Sequence, residues 1–161
     1  MAKYKRKQPA KQNMRVDVNH VQAPTPQLLE QKRAEFALNQ IKAAIQLPED
    51  SRYKHSQVKS FCRRFPSMVQ SNGFGQAVAF FYSKRNDYLA YGTLYTMVEK
   101  WLCREGQVYA DFNDAAEPKL LTAITQSDQH AYRQATAETQ ALMIWVKKFA
   151  EALILKEEEG D

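Results

Sequence analysis

Apolar side chains recur every three to four positions along most of this chain, the period of an α-helix. Ala34, Ala37, Leu38, Ile41, Ala44 and Ile45 mark one buried face. They predict a first helix opening at Pro26, with Thr25 as its N-cap, and closed by Pro48. A second helix is expected from near Ser51, its apolar face built by Val58, Phe61, Cys62 and Phe65 and continued by Met68 and Val69. Pro66 either kinks this helix or opens a short new one. Asn72-Gly73 reads as its C-terminus, where a left-handed residue is needed.

A third helix, from about Phe74 to Lys84, is apolar nearly all round, which predicts a place in the centre of a bundle. A fourth, from about Tyr88 to Arg104, keeps Tyr88, Tyr91, Leu94, Tyr95, Val98, Trp101 and Leu102 on one side and ends at Gly106. Residues 107–114 read as a loop. A short fifth helix starts at Pro118. The sixth and longest runs from about Asp128 to Lys156. Its seam of Tyr132, Ala135, Thr139, Leu142, Val146, Phe149 and Leu153 alternates gaps of three and four, widened by Met143, Trp145, Ala150 and Ile154. The expectation is an all-α fold: a compact bundle of about six helices over residues 26–161, with a long C-terminal helix.

Composition supports this reading. The 161 residues include only 5 Gly, and Ala, Gln, Leu, Lys and Glu are plentiful. At 44% hydrophobic the chain can build a core without a disulfide or a metal. The longest stretch without a formal charge, Phe65 to Ser83, is too polar to span a bilayer, and no apolar run follows the basic start. The two cysteines, Cys62 and Cys103, are far apart and read as buried small groups, which fits a cytoplasmic protein.

Charge changes the picture more. The formal net charge is +5, but it is unevenly spread. Residues 1–25 carry six basic side chains against one acidic and read as a flexible basic tail. Residues 51–85 carry seven basic side chains and no carboxylate, interleaved with Tyr53, Phe61, Phe65, Phe74, Phe80, Phe81 and Tyr82. Residues 86–161 hold thirteen acidic and seven basic groups. An acid-free stretch of this length points to a polyanion, with basic groups for phosphates and aromatic faces available for bases. Packing in the core is the favoured reading for Phe80 and Phe81.

No catalytic constellation is present. His20, His55 and His130 are scattered, and His130 reads as exposed. Gly73-Phe74-Gly75 lacks the strand and lysine of a phosphate loop. Glu99, Glu105, Asp111, Asp114 and Glu117 lack calcium-loop order and read as a solvated acidic loop. No cofactor or metal is expected, and an enzyme is the least favoured class.

Three segments carry a family resemblance: FPSMVQSNGFGQAVAFFYSK (Phe65 to Lys84), LYTMVEKWL (Leu94 to Leu102) and YRQATAETQALMIWVKKFAEALI (Tyr132 to Ile154). Their order is similar to that of the small subunit of the type III-B (Cmr) CRISPR RNA-guided effector complex. The features are Pro66, Asn72, Gly73 and Lys84, then Trp101 and Leu102, then Tyr132, Arg133, Thr136, Glu138, Trp145, Lys147 and Lys148. The resemblance implies a non-catalytic helical protein stacked in several copies beside the backbone subunits and the large polymerase-like subunit, lining the groove that holds guide RNA paired with target RNA. The basic extension of residues 1–25 is longer than that family's compact core requires.

Guide pairing supplies specificity in such a complex, so a scaffold subunit needs phosphate contacts rather than base contacts. The expected contacts are Lys54, Lys59, Arg63, Arg64, Lys84 and Arg85, followed by Arg133, Lys147 and Lys148. Two of these have competing partners on their own helix. Glu138 is poorly placed for Arg133, whereas Glu151 suits Lys148. The alternative function is a stand-alone helical adaptor for an acidic protein.

Overall fold

A computed structural model describes residues 27–155. These form six α-helices: α1 (Leu29–Gln46), α2 (His55–Asn72), α3 (Phe74–Lys84), α4 (Leu89–Leu102), α5 (Lys119–Gln126) and α6 (Gln129–Leu153). One 3₁₀ turn, Ala110–Phe112, lies in the segment expected to be a loop. There is no strand among the described residues, and no helix is long and apolar enough to cross a membrane. The expected tail, residues 1–25, lies outside the described residues, as does His20.

The helix in the centre is α4, not α3 as the sequence pattern suggests. Nine of its residues are buried, among them Leu94, Tyr95, Val98, Trp101 and Leu102, and it touches each of the other five α-helices. α3 buries Phe74, Ala77, Val78 and Phe81, but leaves Ala79 exposed and Phe80 half-buried. It lies at one side, against α2, α4 and α5. Full burial of a side chain such as Phe65, Phe81 or Leu142 contributes about 1.5–3 kcal/mol each.

Four helix ends differ from expectation, one of them by two residues: α4 closes at Leu102, with Cys103 as its C-cap, rather than at Arg104. α1 starts at Leu29 rather than Pro26, because Gln31 Oε1 accepts the Leu28 N–H at 2.8 Å and holds the entry there. Thr25 and Pro26 lie outside the described residues. α2 starts at His55 rather than near Ser51. The Asp50 carboxylate accepts the N–H groups of Arg52 and Tyr53 at 2.7 and 2.8 Å, which makes a turn of the expected first helical residues. Tyr53 is buried there and its hydroxyl donates to the Ala44 carbonyl at 2.6 Å. α6 ends at Leu153 rather than Lys156, because Ile154 leaves the helix in extended backbone to reach the core.

Other ends agree. α2 continues through Pro66 and stops at Gly73, whose φ of 91° serves as both the exit of α2 and the entry of α3. Asp128 caps α6 by accepting the Ala131 N–H at 2.8 Å. In the α6 seam Ala135, Thr139, Leu142 and Val146 are buried, joined by Met143 and Ala150. Tyr132 and Phe149 are half-buried, and Leu153 is exposed.

Candidate nucleic-acid interface

The basic residues fall on separate faces. α2 and α6 run antiparallel. Gln140 Nε2 donates to the Pro66 carbonyl at 3.3 Å, Arg63 Nε to Glu151 Oε1 at 3.2 Å, and Lys59 Nζ to the Ile154 carbonyl at 3.0 Å. A groove of about 310 Å³ follows this seam, lined by Pro66, Gln70, Gln140, Ile144, Lys147 and Lys148. Arg63 is exposed beside it on the next turn of α2.

Lys147 and Lys148 form no ion pair among the described residues. The expected competitor for Lys148 is taken, since Glu151 faces Arg63. That exposed pair is of a kind worth about 0–1 kcal/mol, so it leaves Arg63 available to an anion. Lys59 has a structural task as well. Its ammonium sits on the carbonyl end of α6, where a positive charge is favoured.

The other flank of α2 faces α3 and α4. Arg64 donates to the Tyr91 hydroxyl at 3.0 Å, and its guanidinium lies 5.1 Å from the Phe80 ring centre. The Arg85 guanidinium stacks on Tyr82 at 3.7 Å and donates to the Tyr82 carbonyl at 2.8 Å. Lys84 approaches Asp87 at 3.4 Å. Arg52, outside the expected set, donates to the Asn86 carbonyl at 2.5 Å. These cations close the C-terminal end of α3 while keeping a positive surface.

Lys54 is half-buried at the N-cap of α2. Arg133 is exposed on α6, fourteen positions before Lys147 and so about 21 Å along the helix. The structure therefore brings together Lys59, Arg63, Lys147 and Lys148 along one seam and Arg64, Lys84 and Arg85 on another. Arg133 joins neither.

The interleaved aromatics are core. Tyr53, Phe61, Phe65, Phe74 and Phe81 are buried, and the half-buried Phe80 and Tyr82 are faced by arginines. Their faces are used inside the protein rather than offered to bases.

Three polar features escape a linear reading. Arg33 and Glu138 meet across α1 and α6 in a two-bond pair, Nε to Oε1 at 2.8 Å and Nη2 to Oε2 at 2.7 Å. Trp101 Nε1 donates to the same Glu138 Oε1 at 2.9 Å. These donors hold the Glu138 carboxyl below its ordinary range, Arg33 contributing most. The only signal in the sequence is a carboxylate beside an apolar seam.

The third is Glu99, expected in a solvated acidic loop but in fact buried. It accepts from the Tyr95 hydroxyl at 2.7 Å and from the Leu120 N–H at 3.2 Å, tying α4 to the start of α5. Burial pushes its carboxyl upward, with Glu117 adding to the effect. No cluster of metal-ligating side chains exists among the described residues. Burial also pushes the Cys62 thiol up to about 12 and Cys103 to about 11, so neither is primed as a nucleophile. His130 is exposed, and the His55 ring lies between the Leu47 carbonyl, 2.8 Å from Nε2, and Glu49 Oε1, 3.8 Å from Nδ1.

Comparison with known families gives a match over nearly all of the described residues. Residues 29–153 fit the family described as CRISPR-associated protein (Cas_Cmr5). The match opens on the first residue of α1 and closes on the last of α6.

Proposed function

The chain belongs to the Cas_Cmr5 family, the small subunit of the Cmr (type III-B) complex of CRISPR defence, and on that premise we propose that it is a non-catalytic RNA-binding scaffold. Several copies stack along the duplex of guide RNA and target RNA, beside the backbone subunits and the large polymerase-like subunit. Basic side chains hold phosphates without reading bases. Lys147, Lys148 and Arg63 supply the first set with Lys59. Arg64, Lys84 and Arg85 supply a second, and Lys54 and Arg133 extend them.

The observation that carries this reading is the seam between α2 and α6. Among the described residues Lys147 and Lys148 stand there without carboxylate partners, beside an Arg63 held by an exposed pair. Such a surface suits a partner with regularly spaced negative charge.

The test is target-RNA binding by the reconstituted complex carrying Lys147→Ala and Lys148→Ala, titrated over a range of salt. The expected result is weaker binding with a shallower salt slope and no change in sequence preference. An unchanged slope in a fully assembled complex would overturn the assignment. Assembly of the subunit with a single acidic protein in place of RNA and the other Cmr subunits would favour the adaptor reading.

A further inference from the structure

The described residues end at Leu155, at the end of the bundle where α2 begins; of the two extremes of charge in this sequence, one starts at α2 and the other follows Leu155 in sequence. The acid-free stretch, residues 51–85, begins at the entry to α2 with Arg52, Lys54, His55 and Lys59. The densest acidic run, Glu157-Glu158-Glu159, follows directly on Leu155. Leu155 and Ile154 share a cavity of about 280 Å³ with His55, Ser56 and Glu49, and Lys59 Nζ is 3.0 Å from the Ile154 carbonyl. The chain thus leaves α6 beside His55 and Lys59 of α2.

We propose that Glu157, Glu158 and Glu159 dock on this end of α2, against Lys54 and Lys59, and there compete with RNA phosphate. The competition rests on the RNA-binding function proposed above; the docking does not. Reach permits it. Glu157 is two residues beyond Leu155 and Glu159 four, about 7 to 14 Å of extended chain. Arg63 lies one turn further along α2, about 6 Å from Lys59.

Charge favours it. Lys54 forms no ion pair among the described residues, and the ammonium of Lys59 meets a carbonyl rather than a carboxylate. Among the described residues Glu49 is the one carboxylate lining the cavity. It is occupied in accepting the His55 N–H at 2.7 Å. Tethering makes the contact intramolecular, with an effective concentration in the millimolar range for so short a link. A contact of this strength is displaced by RNA held at many phosphates, yet it discourages weak, non-specific RNA held at few.

The experiment is zero-length carbodiimide coupling on the full chain, which joins a carboxylate to an amine only when they touch, with peptide mapping of the products. Amide links from Glu157, Glu158 or Glu159 to Lys54 or Lys59 are expected within single chains. They should be independent of protein concentration and suppressed near 1 M salt, where the screening length falls to about 3 Å. Absence of these links, or links found only between chains, would overturn the docking.

A second arm titrates RNA of random sequence against the wild type and against Glu157→Gln/Glu158→Gln/Glu159→Gln. The variant should bind several-fold more tightly at low salt, the two converging at high salt. Equal affinity at low salt would overturn the competition. RNA binding by neither protein would count against the function proposed above, while the coupling map would still decide the docking.

Discussion

Arg33 and Glu138 are 105 positions apart in the chain, yet their side chains meet in two parallel hydrogen bonds of 2.8 and 2.7 Å. Both are largely shielded, at 12% and 15% exposure of the side chain. Glu30 stands on the other side of Arg33 and takes the Trp145 indole N–H at 2.9 Å. Arg33, Glu30, Glu138 and Trp145 thereby fasten the beginning of α1 to α6, and Trp101 of α4 joins them at Glu138. Removing Glu138 would leave the shielded Arg33 guanidinium with Glu30 alone, and removing Arg33 would leave the Glu138 carboxylate with the Trp101 indole alone. Glu138→Ala and Arg33→Ala should each cost about 2–3 kcal/mol in urea unfolding. The double variant should cost less than the two single losses together. Strict additivity would show that the pair carries no coupling.

The pH dependence of that pair follows from its sign. The folded carboxyl of Glu138 lies below its ordinary value because Arg33 and Trp101 hydrogen-bond its charged form. Its stabilising contribution is therefore complete above the unfolded value of about 4.3 and is lost as pH falls through the lower folded value. Wild type should lose stability below about pH 4 more steeply than Glu138→Gln does. Parallel curves for the two proteins would contradict this origin of the acid sensitivity.

Helix content and most helix ends could be read from the sequence, because periodicity and turn residues act locally. Gly73 and the bounds of α3 are examples. What could not be read depends on residues distant in sequence. Nothing near Ser51 reveals that Tyr53 will be drawn under Ala44, nor that Asp50 will hold a turn in the place of a first helical turn. Charge was similarly opaque. The basic residues were visible, but their partners were not: Glu151 meets Arg63, not the nearby Lys148, and Glu138 meets Arg33. An all-round apolar pattern points to α3 as the centre, whereas α4, with nine buried residues that include Tyr91, Tyr95, Glu99 and Trp101, is the helix that the others pack around.

Glu99 offers the opposite pH behaviour to Glu138. Its carboxyl is raised by burial, with Tyr95, Cys103, Glu117 and Lys119 as the titratable or charged groups around it. An acid with a raised folded value favours the folded state most at low pH. The advantage fades as pH rises from about 4.3 through the folded value. Glu99→Gln keeps an acceptor for the Leu120 N–H and removes the charge. Near pH 7 it should match or exceed wild-type stability and lose the dependence on pH in this range. Glu99→Ala leaves that N–H and the Tyr95 hydroxyl without a partner and should cost about 1–3 kcal/mol. A glutamine variant as damaged as the alanine variant would show that the charge itself is required.

Gly73 tests the corner between α2 and α3. Its φ of 91° is closed to residues with a Cβ except at a cost, while the space for one is adequate, the nearest atom being the Tyr132 hydroxyl at 3.9 Å. Gly73→Ala should therefore lose about 1–2 kcal/mol through the backbone alone. The Tyr132 hydroxyl also accepts the Gly75 N–H at 3.0 Å, so strain at the corner is transmitted to α6. Amide hydrogen exchange should rise at Gly75 and in the first turns of α3 and α6, and stay unchanged near Arg33. A loss confined to global stability, without this local pattern, would refute the coupling.

The cations of the α2–α6 seam divide into groups with different signatures. Lys147 and Lys148 have no carboxylate partner among the described residues, so Lys147→Ala and Lys148→Ala should leave the melting temperature within about 2 °C of wild type. Each should lower the slope of log affinity for single-stranded RNA against log salt by about 0.7, one phosphate contact's worth. Lys59 caps the carbonyl end of α6, so Lys59→Ala should cost about 0.5–1 kcal/mol of stability in addition to its share of the slope. Arg63→Ala removes an exposed pair and should behave like the lysines of α6, with the slope reduced and stability nearly intact. Thermal melts and RNA titrations on the same four variants separate the two signatures. Slopes that do not move in variants that remain folded would take this seam out of the interface and leave the face of Arg64, Lys84 and Arg85 to carry it.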